Sequence, residues 1–517
     1  MRALSVRRLC QLLFVGLFVV IFLANRYPYS GKVPADLFLR ASPLLPLAGL
    51  LETGTLCVAY WPGLVVLAAT VVLGRFFCGW VCPLGACLDA GRALLTGGSA
   101  PRHEPWMDRW RSFSLALLAG LAILAVLGIG IWSFLDPLSL FHRTLTGALF
   151  PLASWALSTV LGPLGSTPLS SASAGARKWL MPEGVNLFVG VWPIAWTFVA
   201  ILLLELAAPR FWCRFVCPAG AWLSVVGRWA PFRRTVTSTC TTCLACRRAC
   251  PMGAIPAQAP THTHLEACTL CMLCLEDCPT AVGATTWSFG QGSRAPAAGP
   301  SRREFLGSIA GSIVTLGLIR VSLADRDRVD RLLRPPGAVP EELFRDRCIR
   351  CLACVRVCRS NGACLQAGEF HQDFRELWLP EARMRVGYCE YNCNLCGRVC
   401  PTGVINTVPL DRKQKMVMGM AYFDRDRCIP YCRHESCMVC EEHCPVPDKA
   451  IRFEVKEAVL PDGRRRIVKY PYVVRELCIG CGICEYKCPL VGQAAVFVVN
   501  ECAVRPLPPR INGAGAG

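Results

Sequence analysis

Apolar residues gather in long, nearly unbroken runs in the first part of the chain and in short, interrupted ones afterwards. Runs at residues 9–24, 56–74, 113–132 and 189–206 approach the ~20 residues a helix needs to cross a bilayer core. Each is predicted to be a membrane-spanning helix. The second and fourth lead into arginine-dense stretches, with Arg75, Arg92, Arg109 and Arg111 after one and Arg210, Arg214, Arg228, Arg233 and Arg234 after the other. By the positive-inside rule both stretches face the cytoplasm. A fifth apolar piece, 144–161, would invert that arrangement if it crossed completely. It is therefore expected to be a periplasmic or re-entrant helix interrupted by Pro151, followed by a Gly-, Ser- and Ala-rich loop to Ala176.

The two cytoplasmic runs end in a repeated signature, Cys78-Gly79-Trp80-Val81-Cys82-Pro83 and Cys213-Arg214-Phe215-Val216-Cys217-Pro218. Each sets two thiols about one helical turn apart, with proline suited to a first helical turn whose dipole favours thiolate. Packing of small apolar cysteines explains a lone residue better than a duplicated motif. Cys78, Cys82, Cys213 and Cys217 are thus expected to form a further redox or metal site.

Among 517 residues the chain holds 34 cysteines, and most fall in tight Cys-x-x-Cys-x-x-Cys runs that point to metal clusters instead of disulfides. The first pair, Cys240, Cys243, Cys246, Cys250 and Cys268, Cys271, Cys274, Cys278, is the two-cluster bacterial ferredoxin pattern. Three close thiolates hold three irons of a [4Fe–4S] cube and the fourth crosses to its neighbour, so Cys278 completes the first set and Cys250 the second. Cys-Pro after a third close cysteine argues against structural zinc. Gly283-Ala284-Thr285-Thr286 is rejected as a flavin attachment site, because it falls where a ferredoxin places its closing strand.

Four more motifs follow: Cys348, Cys351, Cys354, Cys358; Cys389, Cys393, Cys396, Cys400; Cys428, Cys437, Cys440, Cys444; and Cys478, Cys481, Cys484, Cys488. The middle two are irregular, with an extra residue before Cys393 and a long gap after Cys428. Cys432 competes with Cys428 as ligand, Arg359 stands where proline is usual, and Cys364 and Cys502 read as spares. Six [4Fe–4S] clusters are expected, with no haem: His142 alone of seven histidines lies near a span.

Between the two groups, Ser301-Arg302-Arg303-Glu304-Phe305-Leu306 and a mild apolar run to Leu318 read as a twin-arginine export signal, which moves domains already folded around cofactors. A plain anchor with a positive inner flank is the alternative. The expected fold class is a multi-domain membrane protein, an all-α transmembrane bundle of four helices plus a fifth signal-anchor helix, with ferredoxin-like α+β domains. Its parts are a bundle at 1–235, a cytoplasmic two-cluster domain at 236–290, a linker and signal helix at 291–325, a periplasmic four-cluster domain at 326–505 and a disordered tail at 506–517. The net charge of +19 fits membrane orientation, and no basic helix suggests a nucleic-acid partner.

Residues 1 to about 290, with Arg7-Arg8-Leu9-Cys10-Gln11, the two Cys-x-x-x-Cys-Pro motifs and Asp136-Pro137-Leu138-Ser139-Leu140, resemble NapH-type membrane subunits of the quinol dehydrogenase serving periplasmic nitrate reductase. Residues 301 to about 505, with Arg334-Pro335-Pro336-Gly337-Ala338, resemble NapG-type subunits, so the chain looks like a fusion of the two. Departures are an insertion between Arg143 and Glu183, the extra residue before Cys393 and the missing proline at 359. The membrane core also occurs in NosR-type and CcoG-type proteins. The resemblance implies oxidation of quinol from the membrane pool, with a periplasmic c-type cytochrome or terminal reductase as acceptor. Asp136, His142 and Glu205 are then the candidate proton-handling residues, since ionisable groups at membrane depth need a reason. An accessory role in copper reduction or oxidoreductase maturation is the alternative; a redox regulator would need an output domain, and none is visible. Similarity to four-cluster ferredoxins implies nested pairing, Cys488 with Cys348, Cys351 and Cys354; Cys358 with Cys478, Cys481 and Cys484; Cys444 with Cys389, Cys393 and Cys396; Cys400 with Cys428, Cys437 and Cys440. Sequential pairing stays open, because the intervals between motifs are nearly equal.

Overall fold

The structure is a computed structural model that describes residues 3–27, 34–53, 58–97, 104–127, 129–161, 192–279, 284–290, 301–322, 332–369, 374–460 and 463–505. The Gly-rich loop to Ala176, the start of the fourth apolar run and the tail at 506–517 lie outside the described residues.

The Ala3–Ala24 helix is 22 residues, dense in Leu, Phe and Val from Leu12 onward, a rod of about 33 Å at the α-helical rise. It and the stretch Trp106–Val126 are, among the described residues, the two long and apolar enough to cross a membrane. Among the described residues these two bear out part of the expected bundle of four spans plus a fifth. Trp61–Leu73 and Trp192–Ala207 are shorter apolar helices, of 13 and 16 described residues. Both lead into the cysteine motifs through a residue of positive φ, Gly74 in one and Arg210 in the other. The Arg302–Ser322 helix is long enough, but Gly307, Ser308, Gly311 and Ser312 dilute its apolarity. Its start is a capping box: Ser301 Oγ accepts from Glu304 N at 3.3 Å and Glu304 accepts from Ser301 N at 2.7 Å.

Pro151 does not interrupt the fifth apolar piece. The chain stays helical from Pro137 to Leu161 because a wide turn at Leu145–Leu149 absorbs the hydrogen bond that Pro151 cannot donate.

Two helices show how the parts are ordered. Arg111, entering the Phe113–Val126 helix, donates to Gly253 O at 2.7 Å, while beyond its other end Arg350 donates to Ser133 Oγ at 2.5 Å. Along the Ala3–Ala24 helix, Arg7 at one end donates to Gly79 O, and Gly79 packs against Thr269 O of the first unit, while Phe22 lies under the Arg356 guanidinium at the other end. The two cysteine-rich units therefore sit at opposite ends of one helical body. The first closes with an antiparallel strand pair, Phe232–Val236 with Thr285–Phe289. The second has three such pairs, Leu365–Ala367 with Pro380–Ala382, Met420–Phe423 with Val496–Val499, and Ile451–Val459 with Arg465–Val473.

Candidate iron–sulfur sites

In the first cysteine-rich unit, short helices Ala245–Ala249 and Leu273–Glu276 pack side by side and leave two compact cavities. One is lined by Cys240, Cys243, Cys246 and Cys278, the other by Cys268, Cys271, Cys274 and Cys250. These are the crossed sets that the spacing called for, and each closes four thiols around one space, as a [4Fe–4S] cube requires. Arg234 lines both cavities and is buried between them, donating to Pro260 O at 3.0 Å and to Cys246 Sγ at 3.4 Å. Sequence reading counted Arg234 only as part of a positive flank. Its signal was its place in a strand directly ahead of the first motif.

In the second unit the nested pairing is overturned by the packing. The Ala353–Arg359 helix lies on Leu395–Arg398, and Val439–Glu442 lies on Ile483–Lys487. Burial pushes up the thiols of Cys348, Cys351 and Cys354, and the charge of neighbouring Cys400 adds to each rise. Cys358 acts likewise on Cys389, Cys393 and Cys396, after burial. Cys488 stands beside Cys428 and Cys440, and Cys444 beside Cys478 and Cys481. Pairing is thus sequential, because consecutive motifs stack their short helices directly. Buried thiols pushed up in this way are poor anions alone, and bonding to iron would stabilise thiolate there.

Cys428 is buried and faces Cys437, whereas Cys432 is exposed and turns to Arg427 O. Without proline at 359 the helix runs on through Arg359. Cys364, read as a spare, lies 3.8 Å from Cys358 Sγ; Cys502 is exposed.

Cys78, Cys82, Cys213 and Cys217 are all buried and come together, each thiol close enough to affect others of the four. Asp89, which sequence reading passed over, anchors the surroundings through Arg210 Nε and Nη2 at 2.8 Å each and through Arg7. Burial pushes its carboxyl up, but Arg210 and Arg7 hold it below the usual range.

The three candidate proton-handling residues are not brought into one site. Asp136 caps the Pro137–Thr144 helix, accepting from Ser139 N at 2.8 Å and from Ser42 Oγ. Glu205 accepts from Arg210 N at 2.7 Å and Phe211 N at 3.1 Å, where the second cysteine motif begins. His142 Nδ1 lies 2.8 Å from Cys351 O, with its ring edge-on to Phe22. It ties the helical body to the first site of the second unit.

Comparison with known proteins supports iron–sulfur domains in this chain. A family model for a 4Fe-4S binding domain matches residues 59–97 and 188–237, and one for a 4Fe-4S dicluster domain matches 233–286. The methylamine utilization ferredoxin-type protein MauM of Methylorubrum extorquens is 31% identical over 229 residues, covering 42% of this chain and 94% of that protein. The chain belongs to the MauM family of ferredoxin-type proteins. Like that family, it is an iron–sulfur protein of electron transfer. The ferredoxin-type protein NapG of Escherichia coli is 29% identical over 220 residues, covering 40% of this chain and 85% of NapG, which supports the expected NapG-type part. MauN of Methylorubrum extorquens, also ferredoxin-type, is 28% identical over 257 residues, covering 48% of this chain and 74% of MauN. No solved structure matches the chain.

Proposed function

We propose that this MauM-family chain is a quinol dehydrogenase of the bacterial inner membrane. It joins a NapH-type membrane part to a NapG-type exported part and delivers electrons to a periplasmic c-type cytochrome or terminal reductase such as nitrate reductase. Residues 236–300 then face the cytoplasm and residues 326–517 the periplasm, the latter carried across behind Arg302-Arg303. The observation that carries this reading is the placement of the two cysteine-rich units at opposite ends of the Ala3–Ala24 and Phe113–Val126 helices. The matches to MauM and to MauN, two separate ferredoxin-type proteins, support the joining.

Six [4Fe–4S] clusters, when bound by the six sets of four cysteines, supply one-electron acceptance and release. The chain supplies the rest. His142 holds the backbone of Cys351 against the helical body. Between the Phe113–Val126 and Arg302–Ser322 helices runs a groove of about 980 Å³, lined by Leu117, Leu121, Leu124 and Leu135 with Ser112 and Glu304 also on its wall. An apolar bed with a few polar groups suits an isoprenoid quinol.

The test uses the full chain, prepared anaerobically in lipid nanodiscs with a menaquinol analogue and a c-type cytochrome. Prompt bleaching of the iron–sulfur absorbance by quinol, slowed at least tenfold in L121W while dithionite still bleaches both proteins, supports the reading. Bleaching by dithionite alone, with tight copper binding, overturns it in favour of an accessory metal role. Thiol labelling of intact cells that leaves residues 326–517 unreactive removes the proposed topology.

A further inference from the structure

Each Cys-x-x-x-Cys-Pro motif is one half of a structural repeat. Trp61-Pro62 and Trp192-Pro193 open the two apolar helices, and Arg75-Phe76-Phe77-Cys78 and Arg210-Phe211-Trp212-Cys213 close them. Cys82 and Cys217 then take the same place, immediately ahead of the Pro83–Thr96 and Pro218–Gly227 helices, with φ and ψ of −64° and 117° in one and −67° and 111° in the other. Gly85 and Gly220 complete the repeat. A side chain at Gly85 would meet Cys78 O at 2.8 Å and one at Gly220 would meet Cys213 O at 3.2 Å, so glycine lets each first helical turn fold onto its own first cysteine.

The halves are clasped crosswise. Arg210 donates to Cys78 O at 3.0 Å and Arg75 to Cys213 O at 3.2 Å, so each arginine holds the other half's motif. The result is a buried four-thiol site with two-fold character, two thiols from each half. All six ferredoxin-type sites differ from this, drawing three thiols from one segment and one from another. A single tetrahedral ion would instead draw the four sulfurs to about 3.8 Å apart at ordinary zinc–thiolate bond lengths, and metal content distinguishes the two occupants.

We propose that Cys78, Cys82, Cys213 and Cys217 bind a [2Fe–2S] centre, the iron–sulfur core in which each iron takes two thiolates, one half of the repeat serving each iron. An oxidised core with four thiolates carries two negative charges, and the guanidiniums of Arg75 and Arg210 reach across it to Cys213 O and Cys78 O, with the carboxyls of Asp89 and Glu205 behind Arg210. The site abuts the Cys268–Cys271–Cys274 loop: Trp80 Nε1 donates to Leu270 O at 3.0 Å, Arg75 to Glu266 O at 3.0 Å, and Gly79 packs against Thr269 O. The centre takes up one electron, without bond changes, from the reduced cluster of that loop and returns it on reoxidation. It carries the inner electron path into the helical body.

The full chain, purified anaerobically and reduced with dithionite, tests this without quinol, so the outcome is independent of the proposed dehydrogenase activity. Mössbauer spectra of the oxidised wild-type chain should resolve a two-iron component besides the cubes. The reduced chain should show an EPR signal that persists at temperatures where cubane signals have broadened away. C78S and C217S should each abolish both features and keep the cubane signals. If a serine variant loses the cubes as well, the wild-type Mössbauer component decides alone. Its absence from a chain with filled cubes, its survival in the folded variants, a seventh cube, or zinc or copper on the four thiols overturns the proposal.

Discussion

The Cys348–Cys354 and Cys389–Cys396 loops lead into adjacent short helices, yet their backbones are unlike. In the first, Arg350 and Leu352 on either side of Cys351 adopt left-handed φ of 53° and 61°. Thr242 and Leu244, Leu270 and Met272, and Gly480 and Gly482 do the same in three other loops. That alternation curls the amides inward as a nest suited to an anionic core. The two irregular loops lack it, with Asn394 at −132° and Met438 at −118°. A lysine clamps each instead: buried Lys413 donates to Glu390 O and Tyr391 O, and Lys449 donates to Glu441 O, Glu442 O and Cys444 O. Insertions that break the regular spacing are thus tolerated where an ammonium takes over from backbone handedness.

Removing thiols gives the largest expected effect and tests sequential pairing across the two kinds of loop. C354S with C400S damages one site and should lose about four irons per chain; C354S with C440S damages two and should lose about eight. Equal losses would restore the nested scheme. Within the regular loops, G480A should destabilise by about 2–3 kcal/mol, because a left-handed residue gains a Cβ directly against the Gly419 backbone. G403A, left-handed but in open space, should cost only about 1 kcal/mol. In an irregular loop, K413M should cost about 1.5–3 kcal/mol through lost charge-assisted bonds to carbonyls. Anaerobic thermal denaturation followed by cluster absorbance measures all three.

Smaller effects of opposite sign sharpen the contrast. T242G should stabilise by about 1 kcal/mol, relieving a β-branched residue at positive φ. N394G should destabilise by a similar amount, because Asn394 is not left-handed and its amide donates to Val408 O at 2.8 Å. The smallest effect concerns Arg334, which pairs with Glu341 and Glu376 at 2.5 Å each. Burial pushes the Glu341 carboxyl up, but Arg334 and Arg345 hold it down at about 2. A depressed carboxyl contributes stability that is whole above its unfolded value and fades as pH falls from about 4.5 toward 2. The stability gap between wild type and E341Q should therefore stay flat from pH 6 to 8; a slope in that window would refute the pairing.

Sequence reading reached the thiol sets of the first unit because doubled loops with a Cys-Pro fourth ligand leave one crossed arrangement. It failed on the second unit because four near-equal intervals are compatible with either pairing, and only helix stacking decides. Span counting is borne out in part: Ala3–Ala24 and Trp106–Val126 are long and apolar enough to cross, while Trp61–Leu73 and Trp192–Ala207 lead into the cysteine motifs at Gly74 and Arg210. Arg234, Asp89 and Lys413 were missed because a buried charge is visible only through partners distant in the chain. The Ile451–Val459 hairpin was signalled by apolar–charged alternation before Asp462-Gly463 but was overshadowed by the cysteines flanking it.

The Arg302–Ser322 helix lies along Phe113–Val126, with Ser312 Oγ donating to Gly120 O at 3.1 Å and Ser112 Oγ to Glu304. A tether docked in this way makes the encounter of the two halves an intramolecular event, with an effective local concentration in the millimolar range. Equal stoichiometry is built in, and dilution or uneven expression, which would starve a pair of freely diffusing subunits, leaves the assembly intact.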